Sequence, residues 1–103
     1  MYKLAFFVPE SDLEPVKQAL FSVGTGRIGD YDNCCWQVLG EGQFRPLVGS
    51  NPHIGDQGVV ERLAEWKVEM VCQDELIHKA VAALKQAHPY EEVAYEVWQL
   101  AEI

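Results

Sequence analysis

The sequence predicts an α+β sandwich, one antiparallel sheet with two helices on one of its faces. Three observations lead there: an aromatic and β-branched run at residues 2–8, two separate segments of helical periodicity, and a long clean alternation over residues 59–72. The size agrees. A chain of 103 residues, 49% hydrophobic and 23% charged, makes one compact domain over residues 1–103. It can bury about 60 to 68% of its unfolded surface without metals or disulfides.

Each element follows from its own residues. In 2–8, Tyr2, Leu4, Phe6 and Val8 share one face, the period of a strand with a buried side, and Pro9 ends it. Ser11 with Glu14 three positions later spells a capping box, and Pro15 is tolerated in a first turn. Leu13, Val16, Leu20 and Val23 then recur at helical spacing until Gly24 stops the helix. A Gly- and Asp-rich loop spans 24–33. It leads to a strand over 34–39, a turn at Gly40-Glu41-Gly42 and a short strand over 43–45. Residues 47–58 have loop composition. Within 59–72, Ala64, Trp66, Val68 and Met70 face one way and Glu65, Lys67 and Glu69 the other, so one side is core and the other wet. Gln73-Asp74-Glu75 open a second helix whose stripe is Leu76, Ala80, Val81, Leu84 and Ala87. Pro89 closes it by disfavouring helix at His88, and a last strand covers about 90–100. The order is β-α-β-β-β-α-β, a double split βαβ unit with a short added third strand. That specifies a ferredoxin-like sandwich.

The 59–72 run is long for its domain. Extended, it spans about 45 Å at ~3.3 Å per residue, whereas a chain of this size has a diameter near ~33 Å. Either a bulge breaks it or it overhangs. An overhang leaves unpaired edge groups that a second copy can cover, so a homo-oligomer is expected.

Sixteen acidic residues against eight basic ones give a net charge of −8. The excess repels polyanions, excluding nucleic acid and anionic membrane as main partners and favouring a cation or a small ligand. Residues 59–103 hold nine of the acids and four of the bases, so that half is the acidic one. No apolar run approaches the ~18 to 20 residues of a membrane span, and the segment from Met1 to Pro9 is too short for a secretory signal. Cys34, Cys35 and Cys72 are odd in number, and the adjacent pair cannot bond without strain. Reduced thiols and a cytoplasmic location are expected. On an alternating strand Cys34 and Cys35 point to opposite faces, one toward the core.

Gly24-Thr25-Gly26-Arg27-Ile28-Gly29 spells G-x-G-x-x-G, but a helix precedes it and a strand follows, the reverse of a dinucleotide site. Two readings remain: a structural turn, or backbone amides converging on an anion beside Arg27. Asp30, Asp32, Cys34, Cys35, His53, His88, Glu91 and Glu92 are metal-ligand types, yet none falls into a metal-site spacing. His78, mid-helix, reads as a surface residue. The densest chemistry lies in His88-Pro89-Tyr90-Glu91-Glu92. It is either a helix stop followed by a solvated strand entry, or part of a pocket shared with the glycine loop.

Four segments taken together carry a resemblance. They are Gly24-Thr25-Gly26-Arg27-Ile28-Gly29-Asp30-Tyr31-Asp32-Asn33-Cys34, Gly40-Glu41-Gly42-Gln43-Phe44-Arg45-Pro46, Gly49-Ser50-Asn51-Pro52-His53-Ile54-Gly55 and His88-Pro89-Tyr90-Glu91-Glu92-Val93-Ala94-Tyr95. In this order they resemble the YqfO-type domain inserted into some bacterial members of the Nif-three-like family. The resemblance implies the fold of the CutA and P-II proteins, and homotrimers in which long strands reach across subunits. It brings no catalytic residues, because the two-metal centre of the larger proteins belongs to flanking halves of the chain. What it implies is a stand-alone, non-catalytic binding or regulatory module with a pocket where the 24–34 loop approaches the 88–92 turn. Gly26, Arg27, Gly29, Asp30, Tyr31, Glu41, Arg45 and Tyr90 are then the ligand-binding candidates. One alternative is a divalent-cation binder or metal-dependent hydrolase relative, with His53, His88, Glu91, Glu92 and Cys34 as candidate metal ligands. Another is an adaptor docking onto a separate metal-binding core through Trp36, Trp98 or Phe44.

Overall fold

Pairing of residues 2–8 against the second half of the long run builds the centre of the sheet. In the computed structural model, which describes residues 1–103, the elements are β1 (Tyr2–Val8), α1 (Leu13–Ser22), β2 (Trp36–Phe44), β3 (Glu61–Cys72), α2 (Ile77–Ala87) and β4 (Tyr95–Gln99). The sheet order is β2-β3-β1-β4, with every neighbouring pair antiparallel. Helix α1 carries the chain from β1 to β2 across β3, and α2 carries it from β3 to β4 across β1. This is the expected double split βαβ sandwich. No helix is long and apolar enough to cross a membrane.

The period-two faces meet as the sequence implies. Leu4 lies opposite Met70 and Phe6 opposite Val68, and both pairs are buried with Val8 and Cys72 beneath the helices. Leu13, Val16 and Leu20 of α1, and Ile77, Ala80 and Leu84 of α2, close the core from above. Each large side chain so buried contributes about 1.5 to 3 kcal/mol. The Cys72 thiol is held above its ordinary pKa by burial, so it stays protonated and packs as a small apolar group.

Several boundaries differ from expectation. Gly40-Glu41-Gly42 is no turn, because both glycines pair within one nine-residue strand, Gly40 with Glu65 and Gly42 with Leu63. A Cβ at Gly42 would overlap the Glu65 carboxylate, so the glycine leaves room for that side chain. The capping box does not form. The Ser11 hydroxyl donates to the Asp12 carboxylate at 2.8 Å, Glu14 pairs with Lys17 at 2.9 Å, and a short 3-10 turn over Glu10–Asp12 leads into α1. Cys34 and Cys35 precede β2, so strand alternation does not govern them. Cys34 is half-buried, Cys35 is exposed, and all three thiols are free.

Strand β3 overhangs rather than bulges. Its ladder with β2 is continuous from Trp36–Glu69 to Phe44–Glu61, whereas β1 reaches only from Cys72 to Trp66. Residues Glu61 to Glu65 therefore pair with β2 alone. The molecule is 46 Å long with a radius of gyration of 14.6 Å, against about 13 Å for a compact domain of this length. The outer edge of β2 is unpaired, and Trp36, Val38 and Leu39 are exposed along it.

The glycine loop is stitched to the opposite end of β3. The Gly26 N–H donates to the Val71 carbonyl at 2.8 Å, and the Gly26 carbonyl accepts from the Cys34 N–H at 2.8 Å. Gly26 has φ +80°, and a Cβ there would lie 2.7 Å from the Cys34 carbonyl and 3.0 Å from the Phe21 ring. Gly29, at φ +56°, faces open space. Gly29→Ala should cost about 1 to 2 kcal/mol, the left-handed penalty alone, and Gly26→Ala clearly more. Urea unfolding of the two variants checks the order; equal midpoints would show that the close approach at Gly26 carries no weight.

Candidate functional site

Where β1 ends, the loop after β2 and the segment after α2 fold toward each other over the end of the sheet. Between them lies a cleft of about 420 Å³, lined chiefly by Phe44, Arg45, Pro46, His53, Ile54 and Glu65 on one side and by Tyr90, Glu91 and Glu92 on the other. That volume suits a small ligand.

His88 supports the cleft from behind. Its Nε2 lies 2.7 Å from the Phe7 carbonyl oxygen and its Nδ1 lies 3.1 Å from the Tyr90 backbone nitrogen. A carbonyl only accepts and an N–H only donates, so Nε2 carries the proton and Nδ1 offers a lone pair. Both nitrogens are occupied by backbone, and the residue is 5% exposed. Its ring meets the Tyr90 ring edge-on, 4.8 Å between centroids. Held there, Tyr90 donates its hydroxyl to Glu65 Oε2 at 3.2 Å. Burial first, and the Glu65 charge second, push the Tyr90 phenol well above its ordinary pKa, so it remains a neutral donor. The Asn51 N–H donates to Glu91 Oε2 at 3.0 Å, tying the two walls together across forty positions of sequence. Phe44 and His53 stand 6.4 and 6.2 Å from the Tyr90 ring, tilted by 52° and 47°. The three rings bridge the two sides of the cleft.

Of the residues singled out in the sequence, Arg45, His53, Tyr90, Glu91 and Glu92 converge on the cleft. Glu41 does not; it borders an adjoining depression of about 430 Å³ with Phe7, Val38 and Lys67, which meets the cleft at Gln43 and Glu65. Gly26, Arg27, Gly29, Asp30, Tyr31 and Cys34 belong to the loop anchored at Val71. Val71 lies six steps along β3 from Glu65, about 20 Å at ~3.3 Å each. The expected approach of the 24–34 loop to the 88–92 turn therefore does not occur. The turn meets the β2–β3 loop instead. Several amides of the glycine loop are also spent on the fold, those of Gly24, Thr25 and Gly26 on Phe21, Leu20 and Val71 and that of Cys34 on Gly26. No three His, Cys, Asp or Glu side chains gather closely enough to hold one metal ion.

No protein-family model matches the chain. A curated relative, "GTP cyclohydrolase 1 type 2 homolog" of Halalkalibacterium halodurans, is 43% identical over 101 residues, covering 98% of this chain and 27% of the relative. Its Mycobacterium tuberculosis namesake is 44% identical over 98 residues, 95% of this chain and 26% of the relative. The chain thus spans about a quarter of the length of the curated relatives it matches. Among solved structures, a Bacillus cereus protein related to NIF3 superimposes with a TM-score of 0.84 at 38% identity, over 98% of this chain and 26% of that one. The chain is a YqfO-type domain of the Nif-three-like family. The PII-like protein CutA from Nostoc follows at TM-score 0.69 and 15% identity over 97% of this chain and 81% of its own, and Bacillus subtilis GlnK, solved with ATP, at 0.62 and 12% over 97% and 82%. These last two share the fold.

In this YqfO-type domain, sequence reasoning assigned Glu65 to the wet face without function and treated Phe44 only as a docking residue. Both turn out to wall the cleft. The alternation that set Glu65 opposite the core was a usable signal, since it put a carboxylate on the helix-free face where the loops close. Nothing local marked Phe44, Pro46 and Ile54 as its neighbours.

Because burial lowers the His88 pKa below its ordinary 6.5, the unfolded chain binds its proton more readily than the folded one. The stabilisation is complete above pH 6.5 and is lost as pH falls through the lower folded-state value. His88→Phe should remove that segment of pH dependence. It should also cost about 1 to 3 kcal/mol at neutral pH by leaving the Phe7 carbonyl and Tyr90 N–H unpaired. Urea midpoints measured for both proteins across mildly acid to neutral pH decide it; parallel curves would show that His88 is not the titrating group.

Proposed function

We propose that this YqfO-type domain is a non-catalytic binding module that assembles with copies of itself and takes a small ligand in the cleft between the β2–β3 loop and the 88–92 turn. The observation that carries the reading is the cleft itself. It combines aromatic rings with convergent polar groups, the usual make-up of a small-molecule site, and it is held open by bonds from His88, Asn51 and Tyr90. Acid–base work needs a titratable group free to exchange a proton with a positioned partner. Here both His88 nitrogens serve backbone, and neither His53 nor Glu92 has a hydrogen-bond partner to position it. That supports binding over turnover. A fragment mixture screened by two-dimensional NMR should give shifts concentrated at Phe44, His53 and Tyr90. Shifts scattered over the surface, or centred on Arg27 and Tyr31, would overturn the placement.

Self-assembly, with a trimer favoured, has separate support in the overhang. Strand β2 offers an unpaired edge, and Trp36 at 60% and Trp98 at 40% exposure lie on the same helix-free face. An exposed apolar edge of this kind invites another strand. Light scattering at micromolar concentration should give a multiple of 11.6 kDa, and Trp36→Glu should shift the population toward one copy. A monomeric mass for the unmodified chain would remove the proposal.

A further inference from the structure

We infer that the cleft recognises an organic cation, an amine or quaternary ammonium group carried on a small apolar body. This rests on the cleft being a ligand site, as proposed above, and goes further by naming the chemistry of its ligand.

The charge lining the cleft is lopsided. Glu65, Glu91 and Glu92 border it, and Arg45 is the single guanidinium against them. Glu65 and Glu91 each accept one internal hydrogen bond, yet a carboxylate has about four lone-pair sites, so both retain capacity. Glu92 is exposed and forms no salt bridge. A ligand carrying phosphates would face this excess of negative charge, whereas a cation is drawn in. Among these carboxylates stands Tyr90, with the Phe44 and His53 rings across the cleft 6.4 and 6.2 Å from its own. The faces of such rings attract an ammonium within about 6 Å, and Tyr90 keeps its phenol neutral, so it brings no competing charge. A bare metal ion fits less well. It needs several ligands converging at about 2.0 to 2.6 Å, and no three candidate side chains gather so closely. Pro46, Pro52 and Ile54 add apolar surface, which suits the carbon body of an organic cation.

The test uses the full chain and two probes of one shape, choline and its uncharged carbon isostere dimethylbutanol, titrated separately by two-dimensional NMR. Choline should shift Phe44, His53, Tyr90 and Ala94 saturably, about tenfold more tightly than the isostere. Glu92→Gln, a conservative change at an exposed position, should weaken choline binding severalfold, while Glu102→Gln, outside the cleft, should leave it unchanged. Tyr90→Leu should abolish most of the preference for choline; if it unfolds, Glu92→Gln still decides. Equal affinity for both probes would overturn the cation assignment and leave the binding-module reading standing. Tighter binding of pyrophosphate than of choline at the same residues would overturn it likewise. Silence of the cleft toward both probes, and toward the fragment mixture, would sink the two readings together.

Discussion

The pairing of β1 with the last seven residues of β3 is the constraint on which the remaining features depend. Val8 faces Trp66, and the next residue is Pro9, which has no N–H to donate and cannot extend the ladder. Glu65 is therefore the first residue of β3 without a β1 partner, on the face the helices leave bare. That freed carboxylate is what the Tyr90 hydroxyl finds. The same stop leaves Glu61 to Glu65 resting on β2 alone, so the hairpin projects and its connecting loop can fold back toward the 88–92 turn. The overhang and the cleft are two results of one short strand lying beside a long one.

Much of this fold was legible because most of its signals are local. Leu4, Phe6 and Val8 alternate, Leu13, Val16 and Leu20 recur at helical spacing, and Val68 and Met70 alternate with charges; each set alone requires one buried face. Errors came where a local signal had a long-range competitor. Gly40 and Gly42 read as a turn because glycine weakens strands, but the ladder to β3 supplies partners through both, and the close Glu65 side chain makes the missing Cβ useful. Ser11 reads as a cap, yet its hydroxyl turns to Asp12. The last strand starts at Tyr95 rather than near Tyr90 because residues 88–92 spend their polar groups on Phe7, Glu65 and Asn51 instead of on a neighbouring strand.

The site was legible by composition and illegible by pairing. The dense segment His88-Pro89-Tyr90-Glu91-Glu92 borders the cleft, and Arg45 and His53, also candidates in the sequence, line it too. Which loop would meet that turn depends on where β1 stops relative to β3, a matter of register between segments some sixty residues apart in sequence. Composition favoured the glycine loop as the partner because it looks like an anion nest. Several of its amides are instead spent on α1 and on the far end of β3, where Gly26 must bring backbone against both Val71 and Cys34. Glycine density there reports tight packing.

The acidic excess gains a location through the same geometry. Glu65, Glu91 and Glu92 are among the nine acids of residues 59–103, and folding brings them around one cleft. Like charges so gathered repel one another, and part of that cost is offset by the Tyr90 hydroxyl and the Asn51 amide, each of which donates to one of the three. Glu92 has no such offset. Its place in a cleft that Tyr90, Phe44 and His53 also line suits a positive group that arrives from outside, one that stabilises the cleft in proportion to how tightly it is held.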